Sequence, residues 1–410
     1  MKPIYTAIIV IYSFLVVIAS PFSSKAGKWV RGRRGWRSKI KSFTKEGSKV
    51  VWIHCASLGE FEQGRPVIEK IRSEQPGWKV VLTFFSPSGY EVRKDYDNAD
   101  IVMYLPADIH VNVNYFLNKI KPDLVLIVKY EFWYNYLSEL KRRNVPTYLV
   151  SGIFRPTQYF FRWYGWFAKA MFSVFTHIFV QDEQSGRLLS GIGYEKYTVT
   201  GDTRFDRVSR IAATAAKLPL IESFRGGEKL FVAGSSWEAD EDIIIRYING
   251  NPGRMKWLIA PHEINDSHLA RIEKMLNVNS ARYSDFDKGK TDCRILLIDN
   301  IGMLSSVYRY AAIAAVGGGF GKGIHNILEP ACWGIPVLFG PNHNKFREAG
   351  DLINRGGAVS FNNFETFYTA VEQYLSDYAT LSRAGAECAS YIAENKGATN
   401  KVYEEIFQNI

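Results

Sequence analysis

The chain has 410 residues, 47% of them hydrophobic and 22% charged, with 51 Lys or Arg against 41 Asp or Glu. That length exceeds what one core usually holds, so two domains are the default. The four cysteines (Cys55, Cys293, Cys332, Cys388) are scattered, with neither a C-x-x-C pair nor a zinc spacing. This suits a reducing compartment and gives no support to a metal site.

The first element is apolar. Met1–Phe22 (MKPIYTAIIVIYSFLVVIASPF) carries one charge, Lys2, and Ser23–Lys49 then holds ten Lys or Arg against one acid, Glu46. With these removed from the totals, residues 50–410 hold 40 basic and 40 acidic side chains, so the net +10 is local to the N-terminus. Pro3–Phe22 has about the length of a helical span, roughly 20 residues. A cleaved signal peptide is the rival, since a lone Lys precedes the run and Ala-Ser-Pro follows it. Charge placement favours the anchor, because Lys and Arg flanking a span are held on the cytoplasmic side. The basic collar is then expected to attract anionic headgroups at roughly 1 kcal/mol per charge near the surface. Trp29 and Trp36 fit interfacial anchoring, and nucleic-acid binding is the alternative use of such a stretch.

Beyond the collar, short apolar runs without alternation predict strands covered on both faces. In the first half these are Val50–His54, Val80–Phe84, Ile101–Leu105, Leu124–Val128, Thr147–Val150 and Ile178–Gln181, separated by helical stretches such as Glu62–Arg72, Val113–Lys119 and Trp133–Arg143. The second half repeats the alternation with Leu230–Ala233, Trp257–Ala260, Ile295–Ile298, Ala312–Val316 and Val337–Phe339. The spacing predicts an α/β chain of two Rossmann-like, doubly wound parallel domains facing across a cleft. The expected divisions are an anchor over 1–22, a basic juxtamembrane segment over 23–49 and an N-terminal acceptor-binding domain over 50–206. A hinge over 207–228, a nucleotide-sugar-binding domain over 229–385 and a helical segment over 386–410, which could cross back, complete the chain.

Ligands of open α/β sheets bind where loops leave the carboxyl ends of strands. Four such loops carry chemistry. In His54-Cys55-Ala56-Ser57-Leu58-Gly59-Glu60, Gly59 would allow a tight turn. Glu60 would either take a proton from a hydroxyl or satisfy free N–H groups at a helix start. In Gly317-Gly318-Gly319-Phe320-Gly321-Lys322-Gly323-Ile324-His325-Asn326-Ile327-Leu328-Glu329, five glycines could let backbone N–H groups hold a phosphate, with Glu329 in reach of ribose hydroxyls. It is neither a Walker A loop nor a first-βαβ G-x-G-x-x-G. Gly234-Ser235-Ser236-Trp237-Glu238 could complete a phosphate cradle or simply cap a helix. Glu131, in Lys129-Tyr130-Glu131-Phe132-Trp133-Tyr134-Asn135, is either paired structurally or used on a sugar. The aromatic run Tyr159–Phe167, continuing to Phe175 with Arg155, Arg162 and Lys169 mixed in, reads as a lipid-facing surface or as core.

Taken in order behind the N-terminal segment, these loops resemble the Kdo (3-deoxy-D-manno-octulosonic acid) transferases of lipopolysaccharide assembly. The family's S-x-G-E with a following E and P stands as Ser57-Leu58-Gly59-Glu60-Phe61-Glu62 with Pro66, and its T-P-T-G resembles Ser86-Pro87-Ser88-Gly89. Its E-x-E-L-W-P-N is similar to Lys129–Asn135, its T-G-N-x-K-F-D to Thr200–Asp206, and its G-G-H-N-x-L-E-P-A to Gly323–Ala331. The resemblance implies a GT-B glycosyltransferase that moves Kdo, with inversion, from CMP-Kdo to a lipid A precursor. By that analogy Glu60 is the catalytic base, and Ser57, Gly59, Glu131, Arg155 and Arg204 lie on the acceptor side. The donor would meet Ser235, Ser236, His262, Gly321, Lys322, Gly323, His325, Asn326 and Glu329.

Three departures from the family pattern bear on side-chain roles. Pro261-His262-Glu263 stands where the family often has Pro-Arg-His, which leaves His262, Lys322 or Arg204 to replace a phosphate-binding arginine. Ile324 replaces a glycine, and Lys129 replaces an acid. No D-x-D motif lies in a suitable loop, so no metal or other cofactor is expected, since N–H groups and cations can stabilise the leaving phosphate. The implied partners are a lipid A precursor, CMP-Kdo and anionic lipids of the inner membrane, with the body on the cytoplasmic face and no nucleic acid. The rival readings are another inverting GT-B enzyme on a lipid acceptor, using a UDP-sugar, and a membrane-tethered, non-catalytic nucleotide-binding scaffold.

Overall fold

A computed structural model describes residues 2–162, 165–286 and 292–408. The unalternated apolar runs become strands buried on both faces. In the first sheet these are β1 (Val50–Cys55), β2 (Lys79–Phe84), β3 (Ile101–Tyr104), β4 (Leu124–Val128), β5 (Thr147–Gly152), β6 (His177–Val180) and β7 (Tyr197–Val199). Their order is β3-β2-β1-β4-β5-β6-β7 and every pair is parallel. Val51 stands opposite Val80 on one side and Leu124 on the other. Along β1, Val50 and Trp52 enter the layer of Phe116 and Tyr136, whereas Val51, Ile53 and Cys55 enter that of Phe61 and Ile68. Successive side chains alternate across a strand, so both faces need a helical cover.

The second sheet comprises β8 (Leu230–Ser236), β9 (Lys256–Pro261), β10 (Ser280–Arg282), β11 (Ile295–Leu297), β12 (Ile313–Val316), β13 (Val337–Phe339) and β14 (Ala358–Ser360). Its order, β10-β11-β9-β8-β12-β13-β14, is again all parallel. Phe231, Tyr247, Trp257 and Phe367 fill one of its layers. The four cysteines are all free.

Two compact units result, one of Met1–Asp206 with Gly397–Ile410 and the other of Arg207–Lys396. The segment read as a hinge, 207–228, is largely helical: Arg204–Thr214 and Pro219–Arg225 both form helices. Residue 386 falls inside the helix Tyr378–Asn395, whose Tyr391 and Cys388 bond to Asp351 and to the Gly357 carbonyl of the second unit. The chain rejoins the first unit only at Gly397. There the Asp206 carboxylate accepts the N–H groups of Gly397 and Thr399 at the start of the helix Ala398–Phe407, which seats Val402 and Ile406 in the first unit's core. A carboxylate at a helix N-terminus satisfies N–H groups that have no intrahelical partner.

The apolar N-terminus forms α1 (Lys2–Ala19), followed by α2 (Ser24–Arg33). Among the described residues no single helix is long and apolar enough to cross a membrane; Pro3–Ala19 and Ser24–Arg33 pass only as a pair, bent by 120°. One side of α1 packs on the first unit. The Tyr5 hydroxyl donates to Asp108 Oδ2 (2.7 Å) and accepts from the Tyr134 N–H (3.3 Å), and Asn135 Nδ2 donates to Thr6 Oγ1 (3.3 Å). On the other side Ile4, Ile8, Ile11, Leu15 and Ile18, at helical spacing, are each more than half exposed.

The collar is not uniformly outward. Arg33 donates to the carbonyls of Leu105 (3.0 Å) and Phe85 (2.9 Å), and its guanidinium lies 3.9 Å from the Trp29 ring centroid. Trp29 is therefore buried among Tyr12, Phe85 and Arg33 and turned inward, whereas Trp36, partly exposed, packs edge-on against Tyr115. Lys45 pairs with Asp123 at 2.7 Å. Lys25, Lys28, Arg31, Arg34 and Lys41 remain exposed.

The aromatic run belongs to the core where it is described. Phe160, Phe172 and Phe175 are buried against Phe132 and Phe154, and Tyr159 alone of the described rings here is half exposed. Trp163, Tyr164 and the side chains of Trp166 and Phe167 lie outside the described residues.

Candidate active site

In the first sheet the order changes direction between β1 and β4, and the loops leaving these two strands carry Glu60 and Glu131. A crevice forms at such a switch point. Glu60 lies in the first turn of the helix Leu58–Glu74, and its carboxylate reaches back to accept the Ala56 N–H. The helix-start reading of Glu60 is therefore met, and the bond holds the carboxylate in one position. Burial, with the nearby Glu131 charge second, pushes the Glu60 pKa up to about 7, against the pull of Lys129 and the amides of Ala56 and Ser57. The same surroundings raise Tyr130, through burial and the Glu60 charge, while Arg155 opposes the rise. Glu60, Lys129, Tyr130, Glu131 and Arg155 therefore form one electrostatic cluster. A carboxylic group titrating near neutrality is suited to accept a proton from a hydroxyl.

His54 backs this cluster. Trp133 Nε1–H donates to His54 Nε2 (3.2 Å), and an indole can only donate, so the ring proton sits on Nδ1 facing Thr83 Oγ1 (2.9 Å). The 3.9 Å approach of His54 Nε2 to Glu131 is accordingly no ion pair. Gly59 is not there for a tight turn. It lies inside the helix without a positive φ, and a Cβ built on it meets nothing within 4 Å. Ser57 holds the N-cap position without a side-chain capping bond. Arg204 is bound to Asp202 through Nε at 2.8 Å.

In the second sheet the switch point lies between β8 and β12. The loops after β8, β9 and β12 line a cavity of about 1010 Å³ that includes Trp237, Asp240, Arg271, Phe320, Lys322 and His325. Gly321, Lys322, Gly323 and His325 of the expected donor residues reach this wall, whereas Ser235, Ser236, His262, Asn326 and Glu329 do not. Ser236 donates to buried Glu241 (2.9 Å). Both Glu329 oxygens are engaged, one by Asn326 Nδ2 (3.1 Å) and one by Ser305 Oγ (2.7 Å). Ser235 takes a left-handed backbone (φ 51°).

The glycine loop is built differently from a bare cradle. The amide of Gly317 donates to Gly234 O, that of Gly318 to Asp240 Oδ2 (2.9 Å), and those of Gly321 and Gly323 to Gly318 O. Close packing explains most of the glycines: a Cβ on Gly319 would lie 2.5 Å from Gly340 Cα, and one on Gly317 would lie 2.3 Å from Ser235 O. Gly319→Ala should therefore cost about 1–3 kcal/mol, as overpacking does. Gly321→Ala, whose Cβ meets only Gly318 O at 3.5 Å, should stay within about 0.5 kcal/mol of the parent. Urea unfolding of the two variants checks this, and equal costs would refute the packing account.

A family profile described as 3-deoxy-D-manno-octulosonic-acid transferase (kdotransferase) matches residues 30–207, the part that holds the Glu60 cluster. The 3-deoxy-D-manno-octulosonic acid transferase of Haemophilus influenzae is 25% identical over 367 residues, covering 86% of this chain and 86% of that one. That of Aquifex aeolicus is 28% identical over 325 residues, covering 77% and 84%. The chain is thus similar to Kdo transferases over most of its length. It is a glycosyltransferase. Among solved structures, UDP-GlcNAc 2-epimerase from Neisseria meningitidis has a TM-score of 0.61 at 17% identity, covering 88% of this chain and 100% of that one. At that identity the likeness speaks for the GT-B-like two-domain α/β fold alone.

Within this glycosyltransferase, sequence reasoning missed several groups. Glu241 is fully buried and accepts from His268 Nε2 (2.8 Å) and Arg271 (3.1 Å), which fixes both side chains on the cavity wall. Burial pulls His268 down, but the bond and charge of Glu241 together with the Glu263 carbonyl raise it on balance. Asp240, which ties the glycine loop to the helix Glu238–Gly250, and Asp108, which ties α1 to the body, were missed as well. The cluster of acids at Glu238–Asp242 marked a helix start, but nothing in the string pairs Glu241 with residues 27 and 30 positions away.

Proposed function

We propose that this enzyme transfers Kdo from CMP-Kdo to a lipid A precursor, with Glu60 as general base and inversion at the anomeric carbon. The observation that carries the reading is the Glu60 carboxyl, held by the Ala56 amide and raised to about 7 beside Glu131. In the ionised form it takes the proton of the acceptor hydroxyl as the oxygen attacks. The bond from the anomeric carbon to the phosphate breaks, and CMP leaves. The second unit's cavity, with Lys322 and Arg271 on its wall, supplies a cationic setting for the donor. Lys129 and Arg155 supply positive charge near the base, which suits a phosphorylated acceptor. The leaving phosphate is assigned to the cationic side chains of the second unit's cavity wall, and no step is routed through a metal.

The acceptor is a membrane lipid, and α1 supports a membrane-held enzyme. Its inner face is bonded to Asp108 and Asn135 while its outer face is apolar. We place it along the cytoplasmic surface of the inner membrane, its outer face dipping into the near leaflet, in the manner of an interfacial helix. The exposed lysines and arginines of 25–41 add attraction to anionic headgroups.

The test is a donor panel with a tetra-acylated, bis-phosphorylated lipid A precursor. Mass spectrometry is expected to show Kdo addition from CMP-Kdo and no sugar addition from UDP-sugars. Transfer from a UDP-sugar alone would replace this reading with the rival enzyme, and nucleotide binding without any transfer would favour a scaffold.

A further inference from the structure

Three rings after β8, β9 and β12 form an arrangement that the motifs do not account for. Trp237 and His325 are nearly coplanar, 8° between planes with centroids 6.3 Å apart, and Trp237 Nε1–H donates to His325 Nε2 at 2.9 Å. His262 stacks across both, at 4.8 Å from Trp237 and 4.1 Å from His325. Trp237 and His325 line the 1010 Å³ cavity and His262 does not, so the face away from His262 is the one turned to the cavity.

The hydrogen bond fixes the chemistry of this surface. An indole N–H is donor only, so His325 Nε2 must accept and the ring proton must sit on Nδ1. Burial, with His262 second, lowers His325 to about 4, so the plane is uncharged at neutral pH. Gly318, where a Cβ would come within 3.0 Å of the His325 ring, leaves room for it to lie flat. The carboxylates of Glu238 and Glu263, beside the platform on the cavity wall, make no hydrogen bond or ion pair among the described residues. An acceptor-rich rim repels phosphate and suits the amino group of a base or the hydroxyls of a ribose.

We propose that the Trp237–His325 plane, backed by His262, is a stacking platform for the pyrimidine base of the nucleotide donor. This deepens the reading of the second unit as the donor-binding unit and rests on it. Stacking accounts for a base being held where the loop's glycine amides are largely spent on internal bonds.

The experiment is calorimetric titration of the full chain in detergent with CMP, together with the ultraviolet difference spectrum of the bound base. Trp237→Ala and Trp237→Leu should each weaken CMP binding about 10- to 100-fold and abolish the hypochromic signal of stacking, whereas Trp237→Phe, which keeps a flat face, should bind nearly as the parent does. Binding of CMP by Trp237→Leu equal to that of Trp237→Phe would overturn the platform, since bulk rather than a ring face would then suffice. So would unchanged binding by all three. If the parent binds UDP and not CMP, the Kdo donor is wrong, and the platform stands only if Trp237→Leu weakens UDP in the same way.

Discussion

Glu60→Gln should lower transfer at pH 8 by about 10²–10⁴-fold, the usual worth of a positioned general base, and leave CMP binding unchanged. Glutamine keeps an oxygen to accept the Ala56 N–H, so the local backbone is preserved while the proton acceptor is lost. The folded protein should also gain stability. A carboxyl raised to about 7 is costly to ionise in the fold, so its favourable contribution is complete below the usual pKa of about 4.3 and is lost as pH rises through about 7. Removing the charge at pH 8 should thus recover about 2–3 kcal/mol, read as a higher urea midpoint than the parent at pH 8 and no gain at pH 4. A variant that lost activity and stability together would point to a structural carboxylate.

The same carboxyl sets the pH profile. Because only the ionised form accepts a proton, transfer should fall by about tenfold per unit below pH 7 and level off above it. Glu131→Gln removes the like charge that lifts Glu60 and should move this acid limb to lower pH; Lys129→Ala removes the opposing cation and should move it higher. Opposite displacements in the two variants distinguish electrostatic tuning of Glu60 from general damage to the site, which would shift neither limb.

The interior strands were legible because burial on both faces leaves apolar runs that no exposed segment would tolerate. Three strands were not. β7, β10 and β14 have three residues each and stand at sheet edges, two at either side of the second sheet and one at the end of the first. Each has at least one residue only partly buried, so Tyr197–Val199 and Ser280–Arg282 lack the run that marks a central strand. Glu60 and the glycine loop were legible as positions after strands, and their roles were only half legible. Gly317 and Gly319 are glycine because Ser235 and Gly340 pass close by, and that neighbour is set by the sheet order. Arg33 and Trp29 failed for a related reason. A basic, aromatic stretch reads the same whether its side chains face lipid or turn inward, and the carbonyls of Phe85 and Leu105 that capture Arg33 lie 52 and 72 residues away.

The largest cellular effect should come from α1. If α1 lies in the leaflet as proposed, Ile8→Asp, Ile11→Asp and Leu15→Asp together should move the enzyme from the membrane fraction to the soluble one, because each would place a charge among the acyl chains, at roughly 2–3 kcal/mol apiece. These side chains face away from the body, so folding should survive, and turnover of detergent-dispersed acceptor should persist. Replacing Lys25, Lys28, Arg31 and Arg34 by Gln removes attraction worth roughly 1 kcal/mol each, screened by salt. That variant should bind anionic membranes more weakly than the parent at low salt, and the two should converge at high salt, where both are held by the apolar face alone. Asp108→Ala supplies the third arm, since it unties Tyr5 and the amides of Asn135 and Tyr136 without changing the outer face. Its helix should still bind lipid, but the body would hang from it loosely, so membrane recovery should be normal while turnover on vesicle-borne acceptor falls. Membrane recovery of the triple aspartate variant equal to that of the parent would sink the interfacial placement of α1.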